Sequence, residues 1–195
     1  MRKFTILVLS LLAFGAFALA QLEPQPLVVP KTEFFIGYAF QRAGVSGYNI
    51  PDVTVDSTNL NGFAFEFSHY MRGNFGYTVD ISRGSNSKVD STGIKYVRST
   101  YLAGPSYRLH NFLFFTPSVH ALAGVDHDQF TVPEINPTVL YYANTDFAAA
   151  AGVTFDGNLS RHLAARLAQV DYLYTHNYGA SQSSFRYTGG LVVRF

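Results

Sequence analysis

The chain has 195 residues, with 14 Lys and Arg against 13 Asp and Glu, no Cys, no Trp, 18 Phe and 13 Tyr. Charged residues make up 14%, against roughly 25% in an ordinary soluble domain, while 48% are hydrophobic and 16 more are Gly, which excludes a disordered chain and an ordinary charged cytosolic surface. The lack of Cys excludes a disulfide scaffold, a thiolate metal site and a Cys nucleophile, and the near-neutral balance argues against nucleic-acid binding.

Arg2 and Lys3 precede an apolar stretch from Phe4 to Phe17, and Ala18-Leu19-Ala20 offers small residues at a cleavage site. Residues 1–20 therefore read as a secretory signal peptide cut before Gln21. What remains carries 12 cations and 13 anions, a net charge of −1. Residues 21–31 hold Pro24, Pro26 and Pro30, which deny the chain regular hydrogen bonding, so they read as an extended periplasmic lead-in. No later window reaches about 18 consecutive apolar residues, so no transmembrane helix is expected.

From Glu33 onward the pattern has period two, the geometry of strands. In the first segment, Glu33 to Arg42, Phe34, Ile36, Tyr38 and Phe40 share one face, and Gly37, Ala39 and Gln41 the other. The second, Asn61 to Met71, sets Phe63, Phe65 and Phe67 against Gly62, Ala64, Glu66 and Ser68. The third sets Phe75, Tyr77, Val79 and Ile81 against Gly76, Thr78, Asp80 and Ser82. Pro105 and Pro117 interrupt the fourth and fifth, Lys95 to Tyr107 and Phe114 to Val125, where a bulge or a strand end is expected. The sixth runs from Asp146 to Asp156 and the eighth from Ser184 to Phe195. The seventh, His162 to Thr175, fits a helix in its first half but only a strand in its second, and its neighbours favour a strand. Short connections near Arg72 to Asn74, Leu109 to Leu113 and Gly157 to Arg161 alternate with long polar ones at Ala43 to Leu60, Gly84 to Ile94, Asp126 to Thr145 and His176 to Ser183. Eight such strands form an even-numbered antiparallel meander.

Parity decides which solvent the outer face meets. A soluble barrel turns its large apolar side chains inward; a membrane barrel turns them to lipid and fills its lumen with small and polar groups. The face opposite the aromatics carries Gly, Ala, Ser and Thr with isolated charges, which could not line an apolar cup. The fold class is thus all-β, a closed eight-stranded antiparallel up-and-down transmembrane β-barrel spanning residues 32–195. Closure satisfies the backbone polar groups in lipid. A soluble lipid-binding barrel with an inward apolar cavity is the rival architecture.

These residues carry a family likeness. Tyr187, Leu191, Val193 and terminal Phe195 in "YTGGLVVRF", with "LAGPSYRL" at 102–109, "TPSVHALAGV" at 116–125 and "RLAQVDYLYTHN" at 166–177, resemble the eight-stranded outer membrane barrels related to the transmembrane domain of outer membrane protein A. The resemblance implies residence in the bacterial outer membrane, contact with its lipid, and recognition of Tyr187, Leu191, Val193 and Phe195 by the barrel-assembly machinery. The family's periplasmic peptidoglycan-binding domain is not expected here.

Within the lumen, Glu66, Asp80 and Asp171 are expected to pair with Arg186 and Arg108, since unpaired buried charges cost several kcal/mol. The resemblance implies a salt-bridge gate there; a static polar plug is the plainer reading. Arg166 falls on the lipid parity unless a bulge turns it or it lies at the periplasmic rim. His120, on the small-residue face, reads as a hydrogen-bonded lumen residue. Asp126-His127-Asp128 is the one cluster with ligand or acid–base potential, and it reads as a solvated loop start. Tyr48, Ile50, Phe130, Ile135, Tyr141 and Tyr142 give the long loops more apolar surface than a plain connector needs. The expected role is therefore a monomeric, non-enzymatic structural or adhesive barrel without metal or cofactor. Its extracellular loops would meet a partner, and a narrow gated channel is the alternative.

Overall fold

The computed structural model describes residues 30–45, 57–89, 93–109, 114–133, 139–177 and 180–195. The signal peptide, most of the lead-in, and Tyr48, Ile50 and Ile135 lie outside the described residues. Eight strands follow in chain order: β1 Thr32–Gly44, β2 Ser57–Arg72, β3 Phe75–Val89, β4 Ile94–Arg108, β5 Phe115–Pro133, β6 Val139–Asn158, β7 Leu163–Asn177 and β8 Ala180–Arg194. Each pairs antiparallel with its chain neighbour, and β1 also pairs with β8, so the barrel closes. Closure is completed at one end by backbone bonds between Thr32 and Phe195, with N···O distances of 3.2 and 2.9 Å. That end, where β1 starts and β8 finishes, is the periplasmic one in an even-stranded outer membrane barrel.

Period two sets the two faces as expected. Phe34, Ile36 and Tyr38 are each half exposed on the outside, while Asp171 and Arg186 inside are at most 1% exposed. Side chains such as Phe65, Ile81, Tyr101, Val125 and Phe147 are register neighbours around the outer wall. Moving each large apolar side chain of this belt from water into lipid contributes roughly 1.5–3 kcal/mol. The soluble-cup alternative is overturned, because the lumen is polar and the apolar face is outside.

Two expectations about irregularity need correction. Pro105 and Pro117 do not end their strands: they pair with Tyr77 and Phe155 with no register shift, because a proline removes a single ladder donor, and the irregularity at Pro105 is confined to its other side, where the β4–β5 ladder passes from Ala103↔Ala123 to Ser106↔His120. Register shifts instead fall between Tyr70 and Arg72, Asn86 and Val89, Phe155 and Asp156, and Arg166 and Gln169. Nor are all the extracellular connections long. Strands occupy most of Gly84 to Ile94, Asp126 to Thr145 and His176 to Ser183, leaving only residues 90–93, 134–138 and 178–179 as links. At the opposite end Gly73, at φ 56°, lets β2 turn into β3 through two residues.

Candidate functional site

The barrel interior is filled in layers from the periplasmic end upward. At the bottom, Glu33 holds Arg194 Nε at 2.6 Å and Arg108 Nη2 at 2.9 Å. Arg108 also donates from both terminal nitrogens to the Pro30 carbonyl at 3.0 Å and lies over the Tyr70 ring at 3.6 Å, closing the periplasmic mouth with the start of the barrel. Above this, Arg166 reaches Glu66 at 3.1 Å and Asp156 at 2.9 Å, its guanidinium 4.2 Å from the centroid of the Phe35 ring. Phe35 is an inward aromatic that the alternation alone did not single out.

At mid-height Arg186 bridges two strands. Its Nη1 donates to Asp80 Oδ1 at 2.7 Å and to Ser82 Oγ at 2.7 Å, and its Nη2 lies 2.8 Å from Asp171 Oδ2. The other Asp171 oxygen is 2.8 Å from His120 Nε2. Gly152 makes room for this contact: a Cβ there would strike the Asp171 carboxylate and come within 2.8 Å of His120 Nε2.

Higher still, Arg98 grips Asp128 with two parallel bonds of 2.9 Å, from Nε and Nη2, and Nε also lies 3.2 Å from Asp126. This fork geometry suits Arg and not Lys. Tyr96 donates its hydroxyl to Asp128 at 2.8 Å and stacks its ring on Phe130 at 4.3 Å, with planes 5° apart. Around that stack Ala43, Val45, Leu60, Val89 and Ile94 form an apolar cap at the extracellular end of the lumen. Charge layers thus fill the interior below an apolar lid.

Of the charges expected in one network, Asp80, Asp171 and Arg186 do meet. Glu66 instead pairs with Arg166, and Arg108 pairs with Glu33, so these two are brought into separate layers. Arg166 is turned inward by the irregularity in β7, where Leu167 and Ala168 stand between the two inward residues Arg166 and Gln169. The Asp126-His127-Asp128 cluster is not a loop start. It lies within β5, where period two separates its members: Asp126 and Asp128 face inward onto Arg98, and His127 faces outward with its Nδ1 2.6 Å from Thr145 Oγ1. Imidazole and carboxylates on opposite sides of one strand cannot share a ligand. Among the described residues no group of three His, Cys, Asp or Glu could hold a metal ion. Phe130, expected on a loop surface, is 1% exposed inside the cap, whereas Tyr142 is exposed. Arg98, Glu33, Asp156 and Arg194 were not singled out from the sequence. Tyr187, Leu191, Val193 and Phe195 all face outward in or just beyond β8.

No protein-family model matches the chain, and no curated protein matches it. Solved structures do. Ail, the attachment invasion locus protein of Yersinia pestis, is similar with a TM-score of 0.62 at 17% identity, covering 85% of this chain and 99% of that one. The same protein in complex with the heparin analogue sucrose octasulfate gives 0.61 at 18% identity, with the same coverage. Neisserial surface protein A (NspA) gives 0.60 at 14% identity, covering 84% of this chain and 97% of its own. Closure, inside-out parity and these likenesses together make the chain a small eight-stranded transmembrane β-barrel with the architecture of Ail and NspA, the fold that its resemblance to the barrels related to outer membrane protein A implied.

Proposed function

We propose that the chain is exported to the bacterial outer membrane, where it stands as a monomeric, non-enzymatic and non-conducting barrel whose structural or adhesive contacts are made at its extracellular end. The observation that carries this reading is a lopsided sheet rising above the apolar belt. Beyond Val125 and Phe147, β5 and β6 remain paired from His127↔Thr145 to Pro133↔Val139, a rise of roughly 20 Å at ~3.3 Å per residue. The β6–β7 ladder begins at Ala148↔Thr175, so Val139–Phe147 has β5 on one side and no strand on the other among the described residues. A strand edge of this kind, rich in aromatic and β-branched residues and free of Lys, offers backbone donors and acceptors to a partner segment. The contact surface is therefore strand as much as loop.

The filled lumen favours an anchor over a channel. Conduction would require the Arg98, Arg186 and Arg166 layers, each holding two carboxylates, and the Tyr96–Phe130 cap to open together. Ail shares the architecture and is named for attachment, and its sucrose octasulfate complex is that protein's own. Outward Tyr187, Leu191, Val193 and Phe195 suit the assembly machinery as a reader of the last strand.

The test is single-channel recording of the refolded chain in a planar bilayer, with folding checked by heat-sensitive gel migration. Silence from a folded barrel is expected. Reproducible openings that change when Arg186 is replaced by Gln would overturn the anchor in favour of a gated channel.

A further inference from the structure

All eight described carboxylates, Glu33, Glu66, Asp80, Asp126, Asp128, Asp146, Asp156 and Asp171, lie at inward register positions, and seven of them are buried there. Among the described residues the charged side chains of the outer wall are thus cations alone. In the extracellular half these are Arg42 on β1, Arg83 and Lys88 on β3, and Lys95 on β4, all exposed. The register irregularity between Asn86 and Val89 turns both Ser87 and Lys88 outward. Among the described residues none of the four forms an ion pair; Arg83 has only a 3.4 Å contact from Nη1 to Ser99 Oγ.

Their height and direction are specific. Arg42 follows Phe40 and Arg83 follows Ile81 as the next outward residue above the apolar belt, so the arc begins where hydrocarbon gives way to headgroups. Between these strands β2 presents Asn59 and Asn61 at register positions beside Arg42 and Ser85. On β5 to β8 the outward positions His127, Thr145, His176 and Ser183, toward the extracellular end, carry neither Lys nor Arg. Outward parity on the strands carries these side chains away from the lumen to the outer surface of the wall. A side chain so placed meets a neighbouring lipid before it meets a soluble molecule.

We infer that the outer face of β1 to β4 is a docking surface for a phosphorylated glycolipid headgroup of the outer leaflet, with Arg42 and Arg83 on phosphates at the hydrocarbon boundary and Lys88 and Lys95 on anionic groups above. Arg can hold a phosphate with two parallel bonds, and Lys supplies point charge. The inference rests on the outer membrane reading, which has its own test: recovery with the inner membrane or the soluble fraction would sink that reading whatever the lipid binding shows.

The binding test uses the folded full-length chain in detergent micelles and counts bound lipid by native mass spectrometry. The probes are bisphosphorylated lipid A, the same lipid without phosphates, phosphatidylglycerol and heparin. Bisphosphorylated lipid A should bind tightest, and its affinity should fall about fivefold for each cation removed. The series runs from Lys95→Gln alone to Arg42→Gln, Arg83→Gln, Lys88→Gln and Lys95→Gln combined. Neutralising Lys31 and Arg161 at the periplasmic end should change nothing. Equal binding by the fourfold variant would overturn the surface. So would equal affinity for phosphatidylglycerol, which would mean diffuse charge attraction, or displacement of lipid A by heparin, which would make a soluble polyanion the occupant.

Discussion

Arg186 sits wholly buried between Asp80 and Asp171, and its value lies in what its loss would leave behind. Replacing it by Met strands Asp80 without its cation and leaves Asp171 to His120 and Gln169, and breaking a buried pair costs about 3–5 kcal/mol. The unfolding free energy in urea, measured in lipid vesicles, should drop by that amount. Adding Asp80→Asn and Asp171→Asn should recover most of the loss, because the neutral set has no unpaired charge; a triple variant as weak as the single one would show that shape, and not charge, sets the layer. Glu66, Asp80, Asp171 and Arg186 were legible in the sequence because each stands between large apolar neighbours in a regular alternation. Asp126 and Asp128 are equally spaced, yet the alternation of large apolar residues in their strand ends at Val125. Above the lipid boundary the outward positions no longer need to be apolar, so the alternation that marks a strand fades while the strand continues.

At the scale of the element, β7 shows how one extra residue restores an inside. Arg166 pairs with Gly190 and Gln169 with Thr188, so three steps on β7 match two on β8. On β6 the same break lies between Phe155↔Ala168 and Asp156↔Arg166, which leaves Leu167 without an opposite number. Leu167 is 61% exposed on the outside. Without the bulge, strict alternation downward from Val170 would send Arg166 into lipid, and that is why period two alone placed it on the wrong face. Deleting Leu167 leaves Arg166, Ala168 and Gln169 in plain inward, outward, inward order. That deletion should fold, whereas deleting Tyr172 would flip every residue on one side of the gap. Heat-sensitive gel migration after refolding distinguishes the two. A folded Tyr172 deletion, or an unfolded Leu167 deletion, would mean that register is set elsewhere.

For the whole molecule, inversion of the usual core places the demands on closure. Backbone groups in lipid have no water to fall back on, so β1 and β8 must meet along their length, and the pairing runs from Arg42↔Phe185 to Glu33↔Arg194 with Thr32 and Phe195 bonded beyond it. Phe195 stands at the last step of this seam, 68% exposed, its ring 6.1 Å from Phe34 and edge-on to it at 81°. Two roles are superimposed there: a final rung of the barrel, and a side chain facing the exterior where a receptor could read it. They separate by experiment. Phe195→Ala keeps both backbone bonds and loses only the ring, so refolding of the purified chain into lipid vesicles should be nearly unchanged in yield. In cells, under the proposal that the assembly machinery reads the last strand, the same substitution should lower the amount recovered in the outer membrane several-fold. Equal loss in both settings would mean that the ring serves the seam; no loss in either would remove Phe195 from the assembly signal and leave Tyr187, Leu191 and Val193 to carry it.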